Sequence, residues 1–333
     1  MPKNTPPAAY KPVNKPERFP DYYSDENRQQ CFDIIDWLAE HEKSMSWLSK
    51  LARVERSVAH RSVKGEYRTD PTPHLKKLLG AIRTQDQRNS IHDVPFVKTS
   101  VSDIAFACCQ RARRYRSFAI LTGFVGTGKT RSLKEYAAQN DNTLLIEADP
   151  GMAVASLLDE LVHKAGCSMV KSSSNQHTKF KAILDELTGT DSLIIIDEAE
   201  TLTPKALHYL RRIRDKAGVG IVLAGTEALS ALIKPEHGEF DQIRSRVNFW
   251  PNTAHGIKRE DADAIISIAF SDVGEVDDAI SNRLWQYCKG SMRMLVEELI
   301  PAIRDYGLAA KHDLSVELID SVANKVLNLK KPS

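Results

Sequence analysis

Eight consecutive residues, Gly123-Phe124-Val125-Gly126-Thr127-Gly128-Lys129-Thr130, fit the pattern Gly-x(4)-Gly-Lys-Ser/Thr, and the chemistry this spacing allows is the cradling of a phosphate. Glycines let successive backbone N–H groups turn inward on an anion, a helix N-terminus adds its positive end, and Lys129 supplies a mobile charge. Thr130 is then the hydroxyl ligand of Mg²⁺. A second group stands at 192–198, where Ser-Leu-Ile-Ile-Ile runs into Asp197-Glu198. Paired with the loop, Asp197 is expected to reach the Mg²⁺ hydration shell and Glu198 to act as the general base that polarises an attacking water. A glycine turn that happens to match is the plain alternative for the loop, though the strand before it and the helix after it supply the context the motif requires, and a strand-end Asp-Glu by itself is weak. Together they describe nucleotide binding and hydrolysis.

These residues need elements to hold them in place. The apolar run 118–121 before the loop reads as a buried strand and 131–138 after it as a helix, the context such a loop requires. Further strands are expected at 143–148, 192–197, 219–226 and 244–250, with helical segments near 154–164 and 178–187. Apolar character on both faces of these strands fits a parallel sheet covered by helices. Thr203-Pro204 opens a helix with a capping hydroxyl and a first-turn proline, and Gly218 closes it. Thr226 stands at a strand end where such sheets meet ligand. From Ile257 the chain reads as helical in four segments, 258–270, 276–288, 290–306 and 313–329.

The front of the chain differs in composition. Prolines at 2, 6, 7, 12, 16 and 20 forbid a helix or central strand, so residues 1–22 are expected to form an extended tail, either passive or a docking arm. Residues 23–85 carry four short helical patterns: Phe32, Ile35, Trp37 and Leu38; Trp47, Leu48, Leu51 and Ala52; 58–63 ending at Gly65; and Leu75, Leu78, Leu79 and Ile82 after Pro73. Between 43 and 83 there are ten basic and three acidic residues, a local excess in a chain whose net charge is only +2. Residues 86–100 lack periodicity and read as a linker. The basic helix end Arg111, Arg113, Arg114, Arg116 lies close in sequence to the phosphate loop and reads either as a nucleotide, subunit or DNA contact or as a solvated end favoured by the helix dipole.

At 333 residues and 42% hydrophobic composition the chain can bury more than one core. Its five cysteines contain no Cys-x-x-Cys pair, which argues against a disulfide framework and a zinc site and points to a reducing, cytoplasmic setting. No apolar stretch approaches a membrane span, and no signal-peptide core begins the chain. Near-neutral charge means that nucleic-acid affinity, where present, rests on local clusters.

The phosphate loop, the Asp197-Glu198 strand, Thr226, the arginines of Arg244-Ser-Arg246 and a helical end together resemble the AAA+ ATPases. The Gly-Phe-Val-Gly-Thr-Gly-Lys-Thr loop, the Leu-Ile-Ile-Ile-Asp-Glu-Ala-Glu strand and the Leu-Ala-Gly-Thr strand are most similar to transposition regulators of the TnsC/TniB/MuB family. The resemblance covers residues 100–300. It implies an α/β core with a five-stranded parallel sheet at 101–255 and a helical lid at 256–333. Thr226 would be sensor 1, Arg244 or Arg246 the arginine finger offered to a neighbouring subunit, and Arg293 of Gly290-Ser291-Met292-Arg293 the sensor 2 arginine. Arg131 joins Gly123, Gly126, Thr127, Gly128, Lys129 and Thr130 as a nucleotide contact.

Residues 48–67 resemble the helix-turn-helix of phage-repressor-like domains, so Ser57, His60, Arg61 and Lys64 would face DNA, with Lys50 and Arg53 nearer phosphates. A helical protein-docking module with a solvated basic face is the other reading. The family resemblance also implies ATP and Mg²⁺ as cofactors, assembly as a ring or helical filament on duplex DNA, and a transposase and a target-selection protein as partners. Lys164, Lys171, Thr178, Lys179 and Lys181 form the expected DNA-facing surface, with a solvated loop as the plain alternative. A replication-initiator or helicase-loader ATPase shares every nucleotide motif, and a P-loop enzyme phosphorylating a small molecule shares the loop.

Overall fold

The computed structural model describes residues 13–332 apart from 17, 42, 90–93, 168–169, 172, 236–239, 275 and 311. The chain divides into two compact units, with the break between Asp93 and Val94. Most of the proline-rich tail therefore lies outside the described residues, as does the centre of the expected linker.

The first unit is helical: α1 (Asp25–Glu40), α2 (Met45–Leu51), α3 (Arg56–Val63) and α4 (Thr72–Asn89). Ser24 and Ser44 cap α1 and α2 by accepting the N–H groups of Asn27 and Trp47, each such cap being worth about 1 kcal/mol. One apolar cluster, including Ile34, Leu38, Leu48, Val63, Leu75 and Leu78, binds all four helices. The described end of the tail is not free. Phe19 packs on Tyr23 and Phe32 at ring separations of 5.4 and 5.6 Å, and Lys15 pairs with Asp36 at 2.7 Å.

The second unit begins with Val94 and Val97, buried against C-terminal helices, so the second half of the expected linker is anchored by its own apolar side chains. It continues with α5 (Ser100–Tyr115), β1 (Phe118–Thr122), α6 (Lys129–Gln139), β2 (Thr143–Glu147), α7 (Val154–Lys164), α8 (Gln176–Leu187), β3 (Leu193–Asp197), α9 (Pro204–Ala217), β4 (Gly220–Gly225), α10 (Glu227–Ile233), α11 (Asp241–Arg244) and β5 (Val247–Phe249). The five strands form one sheet in the order β2-β3-β4-β1-β5, all parallel.

Side chains alternate across the sheet. Phe118, Ile120, Ile194, Ile196, Ile221 and Leu223 face one core, whereas Ala119, Leu121, Leu193, Ile195, Val222 and Ala224 face the other, the period of two that a strand imposes. Helices α7, α8 and α9 cover the first face; α5 and α6 cover the second. Gly220 has no room for a Cβ, which would stand 2.4 Å from the Ala112 carbonyl oxygen, so α5 lies directly on β4.

The C-terminal helices are α12 (Arg259–Ala269), α13 (Asp278–Cys288), α14 (Ile300–Tyr306), preceded by a wide π-helical stretch Met294–Leu299, and α15 (Val316–Lys325). They share one core, including Ile265, Leu284, Leu295, Ile303 and Ile319.

Strand length corrects one expectation. The arginines at the end of α5 stand where β1 begins, and the phosphate loop where β1 ends, about 16 Å away for five residues. Arg113 donates to the Asp141 carbonyl and the Thr143 hydroxyl, and Arg111 lies over the Phe249 ring at 4.8 Å. Arg113 thus braces the start of the edge strand β2 and Arg111 the other edge strand, β5, and neither side chain turns to the phosphate loop of its own subunit.

Candidate functional site

The parallel order sets the ends of β1, β3 and β4 side by side, with the phosphate loop after β1, Asp197 at the end of β3 and Thr226 after β4. The loop is pinned at its start. Gly123 N–H donates to the Gly225 carbonyl at 3.1 Å and Phe124 N–H to Ala254 at 2.8 Å. Gly126 and Gly128 then take φ values of 77° and 93°, a region L side chains avoid, and Gly128 caps α6. The residue type and the backbone agree.

Lys129 is 9% exposed and its ammonium donates to the carbonyls of Gly123 and Phe124 at 2.7 and 2.9 Å. Burial holds that ammonium below its ordinary pKa, while Asp197 and then Glu200 pull it back up. The Thr130 hydroxyl donates to Asp197 Oδ2 at 2.6 Å, and Asp197 is 3% exposed. A hydroxyl and a carboxylate meeting at the mouth of a phosphate loop are the hard oxygen donors that suit Mg²⁺. Glu198 is exposed and turns the chain through a φ of 54°, so its carboxylate leaves the strand line and lines the cleft.

That cleft, about 400 Å³, lies between the loop and the C-terminal helices and includes Glu147, Glu198, Met292, Arg293 and Glu297. Contact between the two is direct. The Arg293 N–H donates to the Gly126 carbonyl at 3.0 Å, and a Cβ on Gly128 would meet Met292 Sδ at 2.4 Å. Arg293, half exposed, pairs with Glu297 at 3.3 Å. Arg131 lines the same cleft, yet its guanidinium donates to the Val94 carbonyl, which ties the entry of this unit to the phosphate-loop helix.

Thr226 is not alone at the end of β4. Its N–H and hydroxyl both donate to Glu200 Oε1, at 2.9 and 2.7 Å. Sequence reasoning missed Glu200. Its signal was a third carboxylate in Asp197-Glu198-Ala199-Glu200, but only the turn at 199–201 brings it against a residue 26 positions later.

The arginines expected to act on a neighbour lie at the far edge of the sheet from the loop, where Arg246 O accepts from Phe118 N–H. Arg246 Nε donates to Asp215 Oδ1 at 2.8 Å and its Nη1 to the Gln242 carbonyl at 2.6 Å. Asp215 is also held by Arg214. Its burial favours the neutral form, but the two guanidiniums outweigh this and set its carboxyl below the usual range. Arg244 pairs with Asp241 at 3.2 Å. A strand's length separates these arginines from their own phosphate loop.

Among the expected DNA-facing residues, Lys164, Lys171, Thr178 and Lys181 are exposed. Lys179 is not: it is 5% exposed, and its ammonium meets Asp159 at 2.5 Å, joining α8 to α7. Helical phase explains the correction, since Lys179 shares the inward face with Phe180 and Ile183. In the first unit Ser57, His60 and Arg61 are exposed on α3 and Lys64 is half-buried. Arg61 donates to the Ser57 carbonyl and hydroxyl.

Residues 112–233 match an AAA domain. The chain is 30% identical over 165 residues to the Mu-like prophage FluMu DNA transposition protein B of Haemophilus influenzae, covering 48% of this chain and 56% of that protein. It is 32% identical over 131 residues to the ATP-dependent target DNA activator B of Escherichia phage Mu, covering 39% and 41%. The chain thus spans about half the length of the curated relatives it matches. Among solved structures, Cdc6p of Pyrobaculum aerophilum is similar at a TM-score of 0.52 and 13% identity, covering 72% of this chain and 71% of that one. The Aeropyrum pernix ORC2 protein follows at 0.51 and 16%, covering 71% of each; both likenesses are of fold. The loop, the carboxylates at the end of β3 and the sheet order give the chain a P-loop core that matches an AAA domain over residues 112–233, and over about half of their length it is similar to the Mu-type DNA transposition B proteins.

Proposed function

We propose that this protein is an ATP-dependent regulator of DNA transposition that assembles with copies of itself on target duplex DNA, recruits or activates a transposase there, and leaves the DNA when ATP is hydrolysed. One observation carries the reading: a loop-and-lid cleft of AAA+ type stands on a chain similar to a protein named as an ATP-dependent target DNA activator. A target-selection protein would decide where assembly begins.

In this reading Gly126, Thr127, Gly128 and Lys129 hold the phosphates, with Lys129 exchanging two loop carbonyls for phosphate oxygens. Thr130 and Asp197 hold Mg²⁺, which supplies neutralisation of phosphate charge. Glu198 takes the proton of the attacking water. Arg293 links nucleotide to lid through the same segment whose N–H already meets Gly126. Arg246, or Arg244 beside it, a strand's length from its own loop, acts on the nucleotide of a neighbouring subunit, so that one protomer's hydrolysis requires the next. Lys164, Lys171 and Lys181 contribute phosphate contacts, and the exposed face of α3 with His60 and Arg61 contributes a second DNA contact; both supply affinity through charge.

The deciding experiment images the protein with linear duplex DNA by negative-stain electron microscopy, with ADP in one sample and a slowly hydrolysed ATP analogue in the other. Rings or filaments on DNA with the analogue alone support the proposal. Monomers in both samples, or strand separation on ATP addition, would replace it with a helicase-loader type of activity.

A further inference from the structure

We infer that Glu200 is a positioning residue for ATP hydrolysis: it fixes the Thr226 hydroxyl so that this group orients the attacking water. The inference rests on the nucleotide-hydrolysing role of the cleft. Glu200 sits in a single turn, Ala199–Thr201, directly after the reversal at Glu198, and one of its oxygens takes both hydrogens that Thr226 can offer, from N–H at 2.9 Å and from the hydroxyl at 2.7 Å. A threonine hydroxyl has one hydrogen and two lone pairs. With the hydrogen committed to Glu200 and one lone pair facing the Ala228 N–H at 3.3 Å, the remaining lone pair can only accept. Beyond these bonds Thr226 therefore offers only an acceptor, suited to a water O–H and not to a phosphate oxygen.

Two further observations tie Glu200 to the site. Its second oxygen, Oε2, is buried and makes no hydrogen bond among the described residues, an unsatisfied group of the kind that functional sites retain. Glu200 also belongs to the carboxylates that act on Lys129, behind Asp197 and ahead of Glu198. Glycine at 225 is part of the same arrangement, since a Cβ there would stand 2.0 Å from Glu200 Oε2, while the Gly225 carbonyl accepts the Gly123 N–H that begins the phosphate loop. The carboxylate thus connects the ends of β3 and β4 and abuts the strand end that anchors the loop.

The test uses the full chain with Mg²⁺, saturating ATP and duplex DNA, measuring turnover and the affinity for a fluorescent ADP, with Lys129→Ala as the inactive reference. Glu200→Ala should lower turnover about a hundredfold, the loss that an ångström of misplacement brings, and leave ADP affinity within about threefold because no phosphate contact is removed. Glu200→Gln retains an acceptor oxygen for Thr226 and should recover most of the rate. Thr226→Ala combined with Glu200→Ala should be no slower than Thr226→Ala alone, as expected of residues acting as a unit. Wild-type turnover in Glu200→Ala beside an inactive Lys129→Ala overturns the inference alone. So does an additive loss in the double variant, or a parallel loss of ADP affinity, which marks a merely structural role. A wild-type chain that turns over no faster than Lys129→Ala overturns both the inference and the hydrolytic reading beneath it.

Discussion

Reversing the charge at position 179 separates a core ion pair from a DNA contact. The Lys179 side chain is 7% exposed and stands 2.5 Å from an Asp159 side chain that is 49% exposed. Lys179→Glu places a second carboxylate in that position, where two like charges about 4 Å apart repel by about 4 kcal/mol at an effective dielectric of 20. Asp159 can turn toward water and relieve part of this, so a net loss of about 3–5 kcal/mol is expected, the range for an uncompensated buried charge. At roughly 2–4 °C per kcal/mol for a domain of this size, the melting temperature should fall by about 6–20 °C. Lys179→Met keeps the stem and removes only the partner of a half-solvated carboxylate, at about 1 kcal/mol. Circular dichroism melting and duplex-DNA binding, both measured at a temperature where each variant is folded, decide the matter. The exposed Lys181→Glu should weaken DNA binding without moving the melt. Lys179→Met that melts normally yet loses DNA affinity tenfold would refute the buried-pair reading, as would Lys179→Glu with unchanged melting.

Mixing Arg246→Ala with Lys129→Ala, each inactive alone, should restore part of the ATPase rate, because one variant keeps an intact loop and the other an intact arginine; a mixture as inactive as its components would refute action between subunits. Gly128→Ala combines a φ of 93° with a Cβ 2.4 Å from Met292 Sδ, so it should cost about 1–2 kcal/mol in backbone strain and push the lid segment off the loop, seen as a loss of nucleotide affinity of at least tenfold by equilibrium titration. Burial pushes the Cys108 thiol up to about 12 and raises Cys109 well above its ordinary value. At pH 8 only about one Cys108 in ten thousand is then thiolate, and a disulfide reagent should modify the half-buried Cys167 first while Cys108 and Cys109 react only on unfolding.

Much of the core was legible because its signals are local. An apolar run followed by glycines, a lysine and a threonine needs only neighbouring residues to form a strand, a turn with positive φ and a helix start, and β1, Gly126, Gly128 and α6 appear where the spacing predicts them. Thr203, Pro204 and Gly218 bound α9 for the same reason. Periodicity also located the four helices before α5 and the segments that become α12, α13, α14 and α15, although it could not reveal the π-helical stretch before α14.

What the sequence determined by itself is therefore where the glycine loop with its lysine and threonine stands, the strand-end position of Asp197 and Glu198, and the order of elements that carries them. Tertiary structure alone decided which charges meet. Helical phase and the packing of α8 on α7 turned Lys179 inward to Asp159; the length of β1 carried the α5 arginines away from the loop that follows them closely in sequence. The adjacency of β3 and β4 brought Glu200 to Thr226, and the fold of the unit's first residues brought Val94 to Arg131. Such pairings depend on side-chain direction across non-local contacts, and spacing along the chain carries no information about them until the sheet order is known.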